Sequence, residues 1–223
     1  MSFISAEHLI KSFGNGEATV TAVDGVSFSI AAGDFVGLMG ESGAGKSTLL
    51  SMMGGMNAPT SGRFMVDDID VYQLTPEQRA DFRREFLGFV FQSFHLVPYL
   101  TVEENVLLPL AIVKADRKRK REMAREALDQ VGLLSKRQRL PNQISGGEKE
   151  RVAIARSIVN EPPILLADEP TGNLDSRTTR EIMALLRTLN EKGMTIVMVT
   201  HSHECAGYAN RIMTISDGKL LAN

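Results

Sequence analysis

The chain of 223 residues carries 25 Lys and Arg against 27 Asp and Glu, for a formal net charge of −2, with 43% hydrophobic and 23% charged residues. That is the composition of an ordinary globular protein, with length enough for one α/β core plus an inserted subdomain, and it excludes any general electrostatic drive towards nucleic acid or an anionic membrane. Cys205 is the single cysteine, which excludes an intramolecular disulfide and points to a reducing compartment.

In chain order, the opening "MSFISAEHLIKSF" has neither the basic nor the apolar region of a secretory leader, so no signal peptide is expected. Alternation in "AVDGVSFSI", then a turn at Ala32-Gly33-Asp34, predicts antiparallel strands packed beside a main sheet. Four short apolar runs follow, each ending in a polar or glycine residue: "FVGLM" at Gly40, "LGFVF" at Gln92, "ILLA" at Asp168 and Glu169, and "TIVMVT" at His201. Such runs read as buried parallel strands, and ligands sit beyond the carboxyl ends of strands in open α/β sheets. The four ends therefore describe a single site.

Helices are predicted over 46–56, closing near Gly54-Gly55, and over roughly 176–191, with Asp175 as N-cap and Gly193 as the stop. Residues 93 to about 144 hold no convincing strand. "TVEENVLLPLAI" and "DRKRKREMAREALDQVGLL" both have helical patterns, which predicts a helical subdomain inserted after the Gln92 strand. The basic run Arg117 to Arg121 reads as a solvated helix face with Met123, Ala127, Leu128 and Val131 turned inward; without interleaved aromatics it does not read as a nucleic-acid patch. The longest apolar stretch, residues 106–113, is too short to span a bilayer, so the bulk reading is a soluble, cytoplasmic protein whose membrane role, if it has one, comes through a partner.

The chemistry lies in three places. Gly40-Glu41-Ser42-Gly43-Ala44-Gly45-Lys46-Ser47, followed by Thr48, fits G-x-x-x-x-G-K-[ST] at every fixed position and stands between a strand and a helix. Its glycines let N–H groups point at phosphate oxygens, Lys46 adds charge at the β- and γ-phosphates, and the Ser47 hydroxyl suits Mg²⁺. In "ILLADEP", Asp168 is placed near Mg²⁺ and Glu169 as general base for an attacking water, since two buried carboxylates are costly without a cation. His201 and Gln92, at neighbouring strand ends, are placed to orient the water, meet the γ-phosphate or reach the metal, whereas His203 reads as surface. In "QISGGEKERVAIAR", Ser145-Gly146-Gly147 opens a helix whose Val152, Ala155, Ile158 and Val159 pack inward, so a second anion grip stands at its N-terminus. One nucleotide does not need two such grips. The second is expected to hold the γ-phosphate bound by another copy of the chain, two chains enclosing two ATP molecules head to tail.

With these motifs in place, the chain resembles the ATP-binding cassette (ABC) family along essentially its whole length. "GESGAGKST" resembles its Walker A loop, "VFQ" its Q-loop, "ISGGE" its signature motif, "ILLADEP" its Walker B strand, "GNLD" its D-loop and "THS" its switch histidine, in family order and spacing. The resemblance implies an α/β fold: a P-loop NTPase parallel-sheet core with an N-terminal antiparallel β subdomain and an inserted helical subdomain at about 93–144, within one ATP-binding domain over 1–223. It implies ATP hydrolysis with Mg²⁺, adenine stacked on Phe13 where relatives often have tyrosine, and Ser145, Gly146, Gly147 and Asp175 acting across the dimer. Metal ligation falls to Ser47, Gln92 and Asp168, and catalysis to Glu169, His201, Gln92 and Lys46.

The signature departs from the commoner LSGGQ at Ile144 and Glu148; Glu148 is placed to hydrogen-bond ribose, while its charge tunes closure on the triphosphate. The subgroup most similar contains the cassettes of lipoprotein-releasing complexes, macrolide-exporter-type pumps and antimicrobial-peptide resistance systems. It implies a homodimer, peripheral at the cytoplasmic face of the inner membrane, that drives a permease with a large extracytoplasmic domain and has no nucleic-acid partner. Alternative readings are a regulator of a membrane partner of the cell-division type and a soluble cassette acting on DNA or ribosome, although the chain shows neither a fused second cassette nor a long coiled-coil insertion. A small-molecule kinase leaves Ser145-Gly146-Gly147 without a purpose. No residue names the cargo.

Overall fold

The computed structural model describes residues 2–14 and 19–221. A hairpin of β1 (Ile4–Phe13) and β2 (Val20–Ile30) joins β4 (Ser61–Val66) and β5 (Ile69–Asp70) in an antiparallel sheet of order β2-β1-β4-β5. The second sheet is built from β3 (Phe35–Met39), β6 (Leu87–Val90), β7 (Ile164–Asp168), β8 (Thr195–Val199), β9 (Arg211–Ser216) and β10 (Lys219–Leu220), in the order β10-β9-β3-β8-β7-β6. All its pairings are parallel except the terminal β9–β10 hairpin.

The central strands are buried on both sides, and alternate residues enter two different cores. Phe35, Leu165, Ala167, Ile196 and Met198 join one apolar cluster with the helices on one face. Val36, Leu38, Ile164, Leu166, Val197 and Val199 join another, with the antiparallel sheet, α1 (Lys46–Met53) and α2 (Pro76–Phe86). A period of two with apolar residues on both faces produces the continuous apolar runs seen in the sequence.

Between β6 and β7 lie α3 (Val102–Leu107), α4 (Arg117–Gln130) and α5 (Gly146–Ile158), linked by 3₁₀ turns and with no strand among the described residues. α6 (Ser176–Glu191) packs beside β8, and the short α7 (His203–Ala206) precedes β9. Buried Val102, Val106, Ala124, Ala127, Leu128 and Val131 hold the inserted helices onto α5, while Arg117, Lys118, Arg119 and Arg121 are exposed. Asn105, fully buried, ties down the loop before α3: its amide donates to the carbonyls of Val97, Leu100 and Thr101 at 3.2, 3.0 and 3.0 Å.

Several boundaries differ from the sequence expectation. α1 ends at Met53, not at residue 56, because Gly54 caps it and Gly55 takes a left-handed φ of 62°. The helical pattern of "TVEENVLLPLAI" breaks after Leu107, where Pro109 turns the chain into a 3₁₀ segment over Leu108–Ile112. α6 begins and ends as expected, with Asp175 as N-cap and Gly193, at φ 102°, just beyond the Lys192 C-cap. α2 was not anticipated, although Thr75-Pro76-Glu77-Gln78 carries a full capping box with proline at the first turn.

Candidate functional site

Because β3, β8, β7 and β6 are neighbours and run parallel, their carboxyl ends emerge at one edge, and each delivers a polar residue there. The loop after β3 enters α1 through Gly45, at φ 101°. A Cβ on Gly45 would lie 2.1 Å from the Ala22 carbonyl oxygen, so the close approach of β2 as well as the backbone angle demands glycine. This loop, with Gln92, Glu169 and His201, lines an open cavity of about 520 Å³. Ser42, Gly43, Gly45, Lys46, Ser47 and Thr48 line it from the loop side, and Ala22, which no motif signals, closes it from β2. Gly40, Glu41 and Ala44 shape the turn without lining the cavity; Ala44 is buried beneath it.

Lys46 is 8% exposed, and its ammonium donates to the carbonyls of Gly40 at 2.8 Å and Glu41 at 2.7 Å, which holds the charge at the loop. The Ser47 hydroxyl donates to Asp168 Oδ1 at 3.3 Å, so loop and strand β7 meet there. Burial pushes the Asp168 carboxyl above its ordinary range, partly opposed by that hydrogen bond. Glu169, one residue on, takes a left-handed φ of 46°, an unusual conformation for a non-glycine residue and of the kind retained at functional sites. Its amide bonds to the Val199 carbonyl at 3.0 Å, and its Oε2 accepts from His201 Nδ1–H at 2.9 Å. Gln92 completes the group: a Cβ placed on Gly172 would lie 3.1 Å from Gln92 Nε2 and 3.4 Å from Glu169 Oε2.

Metal binding can be tested on this donor set. No group of three or more His, Cys, Asp or Glu that could hold an ion exists among the described residues. What is present is a desolvated carboxylate, a hydroxyl against it and a nearby amide, all hard oxygen donors. That suits Mg²⁺, which keeps waters and takes one or two protein ligands plus substrate phosphates. The residues fit the ion.

Ser145, Gly146, Gly147 and Glu148 lie apart from this cavity and line none of it. Ser145 is the N-cap of α5, accepting from the Glu148 amide at 3.3 Å, while Glu148 Oε2 accepts from the Ser145 amide at 2.9 Å, a complete capping box. Glu148 Oε1 also takes a short contact from the Lys136 ammonium, and that bond above all holds the Glu148 carboxyl below its usual range. A Cβ on Gly147 would lie 2.3 Å from Thr178 Cγ2, which brings the start of α6 against the start of α5. Asp175 caps α6 by accepting from the Arg177 and Thr178 amides at 3.0 Å each and from the Thr178 hydroxyl at 2.6 Å. A small cavity of about 190 Å³ runs from Glu169 and His201 to Leu174 and Ser176, joining the sheet edge to this second cluster. Phe13 is 45% exposed at the end of β1, with the Lys11 ammonium 5.1 Å from its ring centroid, and stands outside the loop cavity. His203 is exposed, as expected.

A second groove of about 550 Å³ opens elsewhere, lined by Leu87, Phe89, Phe91 and Pro109, with the exposed Ile112 and the polar Arg83, Arg84, His95 and Arg156 at its edge. Arg156, near the far end of α5, donates to the carbonyls of His95 at 2.6 Å and Phe94 at 2.8 Å, just after Gln92. No sequence motif announces this groove, because α2, β6, the turn after α3 and α5 each supply part of it.

Residues 23–172 match the ABC transporter family. An uncharacterized ABC transporter ATP-binding protein of Methanocaldococcus jannaschii is 43% identical over 98% of this chain and 97% of its own. The macrolide export ATP-binding/permease protein MacB of Aggregatibacter actinomycetemcomitans is 43% identical over the whole chain, which spans 35% of that longer protein. Among solved structures, the dimeric post-hydrolysis state of the ATP-binding cassette MJ0796, bound to ADP and Pi, superposes with a TM-score of 0.89 at 41% identity, covering 98% of this chain and 97% of that one. With the glycine loop over 40–47, the Asp168–Glu169 pair and the capped Ser145 helix in one α/β cassette, the chain belongs to the ABC transporter family as an ATP-hydrolysing ATP-binding cassette.

Proposed function

We propose that two copies of this cassette enclose two ATP molecules head to tail, each nucleotide held by the loop of one copy and the Ser145 helix of the other, and that the closing dimer drives a separate membrane permease. The observation that carries this reading is the separation of the two anion grips: the Ser145 N-terminus lines none of the loop cavity of its own chain. The dimeric cassette with ADP and Pi supports it.

Within that arrangement the residues divide the work. The loop amides and Lys46 hold the β- and γ-phosphates, and Phe13 carries the adenine. Ser47, Asp168 and Gln92 would hold Mg²⁺, which would supply neutralising charge to the triphosphate. Glu169 accepts a proton from the water that attacks the γ-phosphorus in line, giving ADP and inorganic phosphate. His201, bonded to Glu169 in the free chain, orients the carboxylate and meets the γ-phosphate on closure. The partner's Ser145, Gly146, Gly147 and Asp175 complete the cage. The groove edged by Arg156 and Ile112 seats the permease; one relative, MacB, bears the words ATP-binding and permease in a single chain. The subgroup resemblance, with the macrolide-export name of that relative, supports export or extraction of a lipoprotein, peptide or drug, the cassette itself lying peripherally at the cytoplasmic face of the inner membrane.

Glu169→Gln tests the core of this. Turnover should fall between about a hundred- and ten-thousandfold, because only the proton acceptor is lost, while ATP-Mg²⁺ should now trap a stable dimer visible by size-exclusion chromatography. Turnover at the wild-type rate would remove Glu169 from the role of base. A protein that stays monomeric with ATP would remove the sandwich. Lys46→Ala should instead lose nucleotide affinity, having lost the charge on the phosphates.

A further inference from the structure

The departure at Glu148 has a physical resolution. A glutamate at the third position of a helix suits the helix itself: it closes the capping box and meets the positive end of the helix dipole. It does not suit a triphosphate arriving at the same N-terminus. We propose that Lys136 is a positioning residue for the partner protomer's ATP, neutralising Glu148 and holding its carboxylate back on the Ser145 amide so that the Ser145 hydroxyl and the glycine amides remain free to take the γ-phosphate. The proposal rests on the head-to-tail dimer reading.

Three observations carry it. The Lys136 ammonium contacts Glu148 Oε1 directly, while the other oxygen, Oε2, is the one that receives the Ser145 N–H at 2.9 Å. Both carboxylate oxygens are thus occupied within the chain. Lys136 ends the 3₁₀ turn Leu134–Lys136, and the Arg139 amide bonds back to its carbonyl at 2.9 Å, so its backbone is fixed twelve residues ahead of Glu148 by the fold and not by the helix that Glu148 sits on. Finally, the pair sums to zero charge, the value that the commoner glutamine has alone. A lysine and a glutamate together restore the electrostatics of the neutral residue while keeping the stronger cap.

An ion pair this open contributes little to the free chain, with the Lys136 side chain 45% and the Glu148 side chain 23% exposed. Water is squeezed out when the sandwich closes, and the same charges then act at lower effective dielectric. The effect therefore belongs to the ATP-bound dimer and not to the fold.

The experiment uses the full chain carrying Glu169→Gln, so that ATP-Mg²⁺ accumulates the dimer, and reads the ATP concentration at half-dimer by analytical ultracentrifugation. Lys136→Ala should raise that concentration about tenfold, and Lys136→Arg should leave it near the starting value. Glu148→Gln alone should move it by less than about threefold, and Lys136→Ala together with Glu148→Gln should return to within about threefold of the starting chain. Melting temperature without nucleotide should stay constant across the set. A Lys136→Ala shift that persists undiminished beside Glu148→Gln overturns the proposal, as does the absence of any shift. Should the Glu169→Gln chain itself form no ATP-dependent dimer, the sandwich reading fails and takes the proposal with it.

Discussion

Glu150 sits two residues beyond Glu148 on α5 and answers to different physics. It is fully buried, and neither carboxylate oxygen has a hydrogen-bond partner. Burial pushes its pKa from 4.5 to about 8, with Arg156 pulling the other way. The folded chain therefore binds this proton more tightly than the unfolded chain does. The sign follows: stability is lost as pH rises from about 4.5 to about 8, with a slope of at most about 1.4 kcal/mol per pH unit. Glu150→Gln removes the charge and should melt several degrees above wild type near pH 9, the gap narrowing towards pH 5. Calorimetry across that range checks it; parallel curves for the two proteins would mean that Glu150 ionises freely in the fold. Residue by residue, much of the site was legible because motif chemistry is local: Lys46, Ser47, Asp168 and Glu169 stand where strand ends and a glycine loop must put them. The Glu169–His201 contact and the Lys136–Glu148 pair were not, since a hydrogen bond between residues distant in sequence leaves no spacing to read.

Elements meet in this protein through very small residues. α5 and α6 start side by side, and a methyl added at Gly147 would lie 2.3 Å from Thr178 Cγ2. Thr178 cannot simply rotate away, because its hydroxyl is bonded to the Asp175 cap at 2.6 Å. Gly147→Ala should accordingly displace the threonine, weaken the cap of α6 and cost about 1–2 kcal/mol, measured by denaturant unfolding. Adding Thr178→Ser, which deletes the clashing methyl and keeps the hydroxyl, should recover most of it. If the second change recovers nothing, the clash is not the cause. The same scale shows why element boundaries were harder to read than element identities. Caps at Asp175 and Gly193 use side-chain and backbone rules that operate within four residues, and they were placed correctly. α2 was missed despite its capping box, because only Phe82 of its eleven residues is buried and its apolar pattern is faint.

For the whole molecule, the alternation of strand residues between two cores matters most: each central strand is shared, so the sheet edge cannot shift without disturbing both. Rigidity of that kind suits a site built on the strand ends that carry Glu169 and His201. The α/β class was readable from apolar runs and their polar ends, whereas the share of α2, β6 and α5 in the 550 Å³ groove was not, since these segments approach only after folding. Ile112, 68% exposed at its edge, is the natural probe of permease docking. Ile112→Glu should lower recovery of the permease from detergent-solubilised membranes by about tenfold, against an Ile112→Val control that retains it. Equal recovery by both variants would place the permease elsewhere.

One geometric feature joins these scales. α5 carries the Ser145 cap at one end and, eleven residues later, the Arg156 guanidinium that grips the Phe94 and His95 carbonyls at the other. At 1.5 Å per residue the two lie about 17 Å apart along a single stiff rod. On the proposed reading such a rod acts as a gauge block: a displacement imposed on one end by a triphosphate is carried to the other through the hydrogen-bonded backbone of the helix. Its length is also indifferent to cargo. If the groove seats the permease as proposed, any membrane partner whose docking segment fits the Arg156 end of the rod can be driven by the same cassette, so the choice of what is moved is free to diversify in the partner while the engine stays unchanged.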